Sequence, residues 1–284
     1  AIHAENDAAP VYGIYGQNGS IIDNEAQINI ASSKAVNTSA VFGIFGNSAE
    51  VNNSGSIKIG DGSNLFNTAT GIRADNRNVN NSGTVRIYGA GTAISAQNSN
   101  IVNNAGGGIT MVISGAADSY GIYLAGRGSN TLTNKATVKI NRSSAYAEGK
   151  KAVALYAENG SINNSGTLEV GARDAVINGG IGIVTNGGNI NNSGTVTVYG
   201  NGSVLNGQNG NITNNEKGQL NIYTDGKASA YGIYLAGSTG NTITNKASIF
   251  INRYGAYAQA TSTGNYGIWT DNAKIVNSGD ISLG

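Results

Sequence analysis

The chain repeats one short phrase, which is clearest in Val51-Asn52-Asn53-Ser54-Gly55-Ser56-Ile57-Lys58-Ile59. An apolar residue leads into Asn, a turn containing Gly or Ala follows, and two alternating apolar residues close the phrase. It occurs ten times in the 284 residues. A repeat of this length predicts a solenoid, in which each unit stacks on the unit before it.

The asparagine before the turn is the most regular position of the phrase. An inward Asn at the same turn of each coil can bond to its own copies and to turn backbone, and it tolerates left-handed geometry. We therefore predict a structural ladder rather than a row of ligand-binding amides. Its ten predicted members are Asn24, Asn53, Asn81, Asn104, Asn134, Asn164, Asn192, Asn214, Asn245 and Asn277.

Each unit holds three short β patterns. The second leads into the Asn, and the third is the alternating pair after it, such as Val85 with Ile87. In the fourth unit, Met111 with Ile113 fits this pair only if one residue is inserted. The first pattern is centred on an apolar residue, which in the ten units is Ile14, Ile44, Ile72, Ile94, Ile122, Leu155, Ile183, Val204, Ile233 and Ile268.

Three short strands at a period near 28 residues predict an all-β fold, a single-stranded right-handed parallel β-helix of about ten coils. At about 4.8 Å per coil, the rod is roughly 48 Å long. Residues 11–284 form this helix, and residues 1–10 are an N-terminal extension or cap. The last residues, up to Gly284, complete a third-strand pattern, so we expect the chain to be a fragment of a longer protein.

A larger repeat is also visible. The run Tyr120-Gly121-Ile122-Tyr123-Leu124-Ala125-Gly126 returns as Tyr231-Gly232-Ile233-Tyr234-Leu235-Ala236-Gly237. The spacings between units repeat every four units as well. We therefore predict a four-coil super-repeat of about 110 residues.

The composition excludes several kinds of function. With no Cys and one His, His3, the chain has no thiolate nucleophile, no Cys-ligated zinc and no His-based triad. A formal net charge of +1 provides no basic field for nucleic acid. We therefore predict no cofactor, no metal site and no nucleic-acid partner.

The first strand carries a row of aromatic residues directly after its central apolar position. By alternation these residues point outward, where rings stack on sugars or anchor a protein partner. The other members of this row are Arg73, Ser95, Val184 and Leu205, and a small residue before the central position leaves room beside the rings. The predicted binding stripe is Tyr15, Phe45, Tyr123, Tyr156, Tyr234 and Trp269.

A second candidate surface is an edge of three insertions, at residues 31–40, 141–152 and 252–265, which follow the third strand at four-coil spacing. Insertions on a rigid scaffold often bind partners, although a solvated loop is the ordinary case. The charged and aromatic residues of this edge are Arg142, Tyr146, Lys150, Lys151, Arg253, Tyr254 and Tyr257.

Catalysis by a β-helix glycosidase or lyase requires carboxylates close together, about 5 to 9.5 Å apart in glycoside hydrolysis. Asp75, Glu158 and Asp271 share one turn position but lie in the third, sixth and tenth coils. The closest two are therefore roughly 14 Å apart. We predict no catalytic residue.

The phrases Ile162-Asn163-Asn164-Ser165-Gly166-Thr167-Leu168 and Ile190-Asn191-Asn192-Ser193-Gly194-Thr195-Val196 make the chain resemble the passenger domains of Gram-negative type V autotransporters. The resemblance extends from about Val11 to Gly284. It implies export, a translocator barrel that this chain does not contain, and display on the bacterial cell surface or release from it. The protease module found in one branch of the family is not seen here.

The function expected from this resemblance is that of a non-catalytic adhesin, which binds through a face or inserted edge of the β-helix. Its partner would be a host-cell protein or glycan, or another copy of itself. One alternative is a secreted toxin-like passenger of the vacuolating-cytotoxin type. Another is a polysaccharide-active β-helix enzyme.

Overall fold

The chain is a right-handed parallel β-helix of ten coils. The computed structural model describes residues 2–3, 9–31, 40–115, 117–126, 129–144, 146, 150–224, 228–253 and 264–284, with the backbone alone for residues 2, 3 and 253. Within these residues the chain forms thirty strands and no helix, so no helix crosses a membrane there.

The strands are, in chain order, β1 (Ile2–His3), β2 (Val11–Gln17), β3 (Ile21–Asn24), β4 (Gln27–Ala31), β5 (Val41–Asn47), β6 (Glu50–Asn53), β7 (Ser56–Ile59), β8 (Phe66–Asp75), β9 (Val79–Asn81), β10 (Thr84–Gln97), β11 (Ile101–Asn103), β12 (Gly108–Ile113), β13 (Ser119–Ala125), β14 (Thr131–Asn134), β15 (Thr137–Arg142), β16 (Ala152–Glu158), β17 (Ser161–Asn164), β18 (Thr167–Val170), β19 (Gly180–Asn186), β20 (Ile190–Asn192), β21 (Thr195–Tyr199), β22 (Gly202–Gln208), β23 (Ile212–Asn214), β24 (Gln219–Thr224), β25 (Ala230–Ala236), β26 (Thr242–Asn245), β27 (Ser248–Arg253), β28 (Asn265–Thr270), β29 (Lys274–Asn277) and β30 (Ile281–Leu283).

These strands stack into three parallel sheets, and each coil passes through sheet B, sheet C and sheet A in that order. Sheet B runs from β2 through β5, β8, β13, β16, β19, β22 and β25 to β28. Sheet C runs from β3 to β29. Sheet A runs from β1 to β30. The long strand β10 belongs to sheet A over residues 84–88 and to sheet B over residues 89–97. Coil 1 is β2, β3 and β4, and coil 10 is β28, β29 and β30.

One continuous core of Ile, Val, Leu and Ala fills the rod. Each sheet contributes inward residues in register, such as Ile44 paired with Ile72 in sheet B and Ile57 with Val85 in sheet A. Parallel stacking of equal side chains lets every coil bury its apolar face on its neighbours. This stacking stabilises the rod through nearest-neighbour contacts.

In coil 8 the predicted centre of the first strand was wrong by one residue. Leu205, not Val204, pairs with Ile183 and Ile233 in the inward row, and Asn206 takes the outward place that was assigned to Leu205. In coil 4, Ile109 and Met111 pair with Val85 and Ile87, so the predicted pair of Met111 with Ile113 was also displaced.

A buried asparagine ladder runs along the end of sheet C. Each Nδ2 donates to Oδ1 of the asparagine in the next coil at 2.7 to 2.9 Å, and in most coils also to the carbonyl oxygen two residues ahead. The amides therefore satisfy one another inside the rod. Nine of the ten predicted residues belong to it: Asn24, Asn53, Asn81, Asn134, Asn164, Asn192, Asn214, Asn245 and Asn277.

The tenth member is Asn103, and the prediction of Asn104 was wrong. Asn103 is fully buried, accepts from Asn81 Nδ2 at 2.7 Å and donates to Asn134 Oδ1 at 2.8 Å. Asn104 is half-exposed and donates to Ser82 Oγ at 3.3 Å. The inward Ile109 lies six positions after Asn103, whereas its partner Val85 lies four positions after Asn81. The turn after Asn103 is therefore two residues longer. Because of the longer turn, the spacing of the repeat phrase pointed to Asn104 instead of Asn103.

The left-handed positions lie at a different turn from the ladder. Outside glycine, the described residues with positive φ are Asn18, Ser48, Asn76, Asn98, Asn159 and Asn209, all between the strands of sheets B and C. The ladder asparagines end regular strands. The repetition of Asn at this position in every coil therefore follows from hydrogen bonding and not from left-handed geometry.

Of the predicted extension at residues 1–10, the structure describes residues 2–3 and 9–10. Residues 2 and 3 form β1, which pairs in parallel with Ile30 and Ala31 of β4. This strand therefore adds one more layer to sheet A.

Candidate functional site

Sheet B changes direction at a column of small residues, and this bend determines where its aromatic rings lie. In β5, Gly43 and Ile44 both face the interior, so Phe42 and Phe45 on either side of them face away from it. Phe45 is half-exposed, and Phe42 is covered by the neighbouring rings and only 8% exposed. A Cβ at Gly43 would lie 2.5 Å from Gly71 O and 2.5 Å from Ile57 Cγ2. The small residues thus fit the crowded interior; the prediction that they leave room beside the rings was wrong.

Because of the bend, sheet B carries two outward aromatic columns. The predicted stripe is one of them, and its members pair along the sheet, as Tyr15 does with Phe45 and Tyr123 with Tyr156. The second column lies three residues earlier. The sequence analysis did not single out this column, because strict alternation from the inward Ile14 gives Tyr12 no outward place. Its rings are Tyr12, Phe42, Tyr120, Tyr231 and Tyr266.

The rings of both columns gather into three aromatic clusters. Cluster 1, in coils 1 and 2, is Tyr12, Tyr15, Phe42 and Phe45. Cluster 2, in coils 5 and 6, is Tyr120, Tyr123 and Tyr156. Cluster 3, in coils 9 and 10, is Tyr231, Tyr234, Tyr266 and Trp269. The clusters follow the four-coil super-repeat, so their centres are roughly 19 Å apart.

Each cluster contains rings of successive coils that lie face to face, although Tyr15 meets Phe45 edge-on at 64°. The ring centroids of Tyr123 and Tyr156 are 4.9 Å apart with an interplanar angle of 1°, and those of Tyr234 and Trp269 are 4.5 Å apart at 4°. Most ring faces are therefore already covered by another ring. The surface presents ring edges and hydroxyl groups, with free faces only at the two ends of each stack.

Polar groups hold cluster 2 in place. Asn186 Nδ2 donates to the Tyr156 hydroxyl at 3.1 Å. Burial, with Asp118 and the two neighbouring phenols, raises the pKa of Tyr120 to about 12. Burial and the nearby Glu158 carboxylate also raise the pKa of Tyr123. The three phenols are therefore neutral donors over the ordinary pH range.

Between the clusters the same columns carry no aromatic ring, which leaves two gaps. Gap 1, in coils 3 and 4, contains Thr70, Arg73, Thr92 and Ser95. Gap 2, in coils 7 and 8, contains Ile181, Val184, Ser203 and Asn206. Sheet B is thus a row of alternating aromatic ridges and gaps.

The inserted edge lies next to the clusters. The three insertions connect β4 to β5, β15 to β16 and β27 to β28, so each leads into the second strand of a cluster. Tyr146 packs half-buried against the core. Tyr254 and Tyr257 lie outside the described residues, as does the side chain of Arg253. Arg142 is half-buried, and Lys150 and Lys151 are exposed.

The three acids of the shared turn position lie at the end of sheet B in coils 3, 6 and 10: Asp75 and Glu158 end β8 and β16, and Asp271 directly follows β28. Asp75 is held by Arg73, whose Nε donates to Oδ1 at 3.1 Å. At about 4.8 Å per coil, Asp75 and Glu158 are too far apart for paired carboxylate chemistry. Within the described parts of the chain, no group of three or more His, Asp or Glu is placed to hold a metal ion.

Two neighbouring depressions on the surface are lined mainly by polar residues. One, of about 230 Å³, lies on sheet C and is lined by Asp23, Glu25, Asn52, Ser54 and Asn80, among others. The other, of about 520 Å³, borders the turns from sheet C into sheet A. Asn52 Nδ2 donates to Asp23 Oδ1 at 2.9 Å, which continues an outward amide ladder. Ligand pockets are usually lined mostly by apolar and aromatic side chains, and neither depression has an aromatic side chain in its lining. The aromatic face of sheet B is therefore the stronger candidate site.

Comparison of the chain with protein-family models, curated proteins and solved structures finds no match. The function must therefore be inferred from the geometry of the surface and from the repeat phrase.

Proposed function

We propose that this chain is a non-catalytic adhesin, the passenger of a type V autotransporter on a bacterial cell surface or released from it. Its partner is a host-cell protein or glycan, or another copy of itself. The observation that carries the proposal is the concentration of eleven aromatic rings in three clusters on sheet B. The passenger identity rests on the resemblance of the repeated Asn-Ser-Gly phrase.

The aromatic face suits recognition because it combines rigid apolar area with polar tips. Tyr and Trp bury large areas at low entropic cost and dominate the binding energy of many interfaces. Here the rings are fixed by stacking on one another and by a core that every coil shares. A partner therefore meets a preorganised surface, which lowers the entropy lost on binding.

The test compares two triple variants with the parent. The first changes Tyr123, Tyr156 and Tyr234 on sheet B to Ser. The matched control changes Tyr199, Tyr223 and Phe250, three outward aromatic residues of sheet A, to Ser. The Tyr199 and Tyr223 rings are stacked with their centroids 5.0 Å apart, and the Phe250 ring meets Tyr223 edge-on. Binding of the fluorescently labelled proteins is measured on epithelial cells and on a glycan array, after circular dichroism has shown that both variants are folded.

We expect the sheet B variant to lose at least tenfold in binding and the sheet A control to keep it. Equal binding by the two variants would remove sheet B as the adhesive face. A parent that binds neither cells nor glycans would contradict recognition of a host.

A further inference from the structure

We propose that sheet B also pairs with sheet B of a second copy of the chain, with the two rods antiparallel and offset by two coils. In this arrangement the clusters of each rod enter the gaps of the other. The pairing uses the face that the proposed function assigns to adhesion, so a dimer would cover that face.

The spacing of clusters and gaps is complementary to itself. Clusters occupy coils 1–2, 5–6 and 9–10, and gaps occupy coils 3–4 and 7–8. A two-fold axis parallel to the strands reverses the rod and brings one face onto the other. When that axis lies between coils 4 and 5, cluster 1 faces the partner's gap 2 and cluster 2 faces the partner's gap 1. The same contact is made twice, as in a closed isologous dimer.

Gap 2 has the thickness of a cluster. The rings of Tyr156 in coil 6 and Tyr234 in coil 9 belong to one column and are three coils apart, about 14 Å. Two ring layers are missing between them. A cluster of the partner supplies two layers at the same spacing, because its rings also rise by one coil each. Insertion would therefore complete a continuous stack and cover the free ring faces at both ends of the gap.

The floor of gap 2 suits apolar contact. Val184 and Ile181 lie in coil 7, and Ser203 and Asn206 lie in coil 8. None of the four is charged. Ile181 and Asn206 are half-exposed, whereas Val184 and Ser203 are already buried, at 9% and 6% exposed. Rings that insert here would contact the Ile181 side chain, which adds apolar burial to ring stacking.

Gap 1 is narrower because Arg73 fills part of it. The Arg73 guanidinium lies 5.4 Å from the Phe45 ring centroid and is paired with Asp75. This side chain is about two-fifths exposed. In the dimer the partner's Tyr156 would lie level with Arg73 of coil 3, where the guanidinium can stack on the partner's ring as it does on Phe45. Gap 1 therefore accepts cluster 2 through a cation–π contact.

The size of the shared face matches that of a stable dimer. An offset with the axis between coils 4 and 5 overlaps eight coils, and strands of seven residues make the face roughly 900 Å² per rod. Stable protein interfaces bury about 800 Å² per partner. The formal net charge of +1 leaves little repulsion between two copies.

The test fills the gaps and leaves the clusters intact. Ser95→Trp and Asn206→Trp together place one large side chain in each gap; both positions are outward and half-exposed. The matched control is Thr133→Trp with Thr213→Trp, at outward, half-exposed positions on sheet C. Sedimentation velocity over a range of protein concentrations measures dimerisation of the parent and both variants.

We expect the parent and the sheet C control to dimerise alike, and the gap-filled variant to have a dissociation constant at least tenfold higher. A monomeric parent, or a gap-filled variant that dimerises as the parent does, would overturn the inference. The outcome is separate from that of the adhesin test, because the gap-filled variant keeps all eleven rings. Loss of dimerisation with retained cell binding supports self-pairing, and retained dimerisation overturns it whatever the cell binding.

Discussion

Each ladder asparagine replaces the apolar residue that would otherwise occupy its place in the core. A buried amide is costly unless it is hydrogen-bonded, and here one Oδ1 and one Nδ2 in every coil find partners above and below. The amide also donates to the carbonyl oxygen of its own turn, as Asn164 does to Gly166. The residue thereby connects two coils and fixes the turn between sheets C and A.

The first prediction separates Asn103 from its neighbour. Asn103→Ala leaves Asn81 Nδ2 with the Gly83 carbonyl oxygen as its remaining acceptor and takes the Asn103 donor from Asn134 Oδ1, both inside the rod. We expect the free energy of unfolding to fall by about 2 to 4 kcal/mol. Asn104→Ala removes only a half-exposed contact and should change it by less than about 0.5 kcal/mol. Guanidinium unfolding followed by circular dichroism measures both, and equal losses would contradict the assignment of Asn103 to the ladder.

The second prediction concerns alkaline pH. The pKa of Tyr120 is raised to about 12 in the folded chain, against about 10 for an exposed phenol. Since the folded value is the higher one, ionisation favours unfolding. The contribution of Tyr120 to stability is complete below pH 10 and is lost as the pH rises toward 12.

Tyr120→Phe should therefore lose less stability than the parent between about pH 9 and about pH 12. Denaturant unfolding at both pH values measures the difference. As a control, the ultraviolet titration of parent minus variant should show one phenol near 12 in buffer and near 10 in guanidinium. Parallel losses of stability in parent and variant would exclude this role of Tyr120.

At the scale of the strand, the bend in sheet B depends on a column that alternates between Gly and larger residues. Along the rod its members are Gly13, Gly43, Gly71, Ala93, Gly121, Ala154, Gly182, Val204, Gly232 and Gly267. Every member with a side chain has Gly on both sides. The glycine positions themselves have no room for a Cβ, because at Gly43 and at Gly121 it would lie within 2.6 Å of the backbone oxygen of the next coil.

The third prediction follows from that crowding. A Cβ added at Gly121 would be 2.6 Å from Ala154 O and 2.6 Å from Val138 Cγ1. Gly121→Ala should therefore cost about 1 to 3 kcal/mol of stability. Gly62→Ala is the matched control, because a Cβ there would meet no atom within 4 Å, and it should cost less than about 0.5 kcal/mol. Thermal unfolding of the two variants measures both costs, and equal costs would contradict the crowding of the sheet B bend.

The same bend explains how much of sheet B the sequence predicts. Period-two alternation gives the outward stripe from Tyr15 to Trp269, because these residues directly follow the inward position. The column from Tyr12 to Tyr266 lies beyond two consecutive inward residues, where alternation fails. The repeated motif Tyr-Gly-Ile-Tyr of coils 5 and 9 was the available signal, since both tyrosines recur together.

At the scale of the whole molecule, the coil number and the three sheets follow from the repeat phrase, because each phrase supplies one complete layer. Local turn lengths do not follow from it. Coils 4 and 8 each carry two additional residues after the ladder asparagine, Asn103 or Asn214, and these lengths depend on how each turn packs. The mutual placement of the clusters and gaps becomes apparent only after the strands are paired.

The fourth prediction uses the four-coil super-repeat. Deletion of residues 121–231 joins Tyr120 to Gly232 at equivalent positions and removes four whole coils. Stability in a solenoid is approximately a sum over neighbouring coils, so the six-coil rod should fold with a lower Tm and a smaller denaturant m-value. Deletion of residues 135–231 removes a fractional number of coils and should not fold. Circular dichroism and unfolding curves compare the two, and a folded product from the second deletion would contradict nearest-neighbour stacking of whole coils.

The uniform direction of the asparagine ladder gives the rod an axial electric polarity. Hydrogen-bond dipoles of the backbone nearly cancel in a β-sheet. The side-chain amides do not cancel, because every Nδ2 donates toward the coil 10 end, from Asn24 to Asn277. One amide of about 3.5 D in each 4.8 Å layer corresponds to roughly 0.15 of an elementary charge, positive at the coil 10 end, against roughly half a charge for an α-helix. Two rods that lie side by side in opposite directions place unlike ends together, so this small dipole favours antiparallel over parallel association.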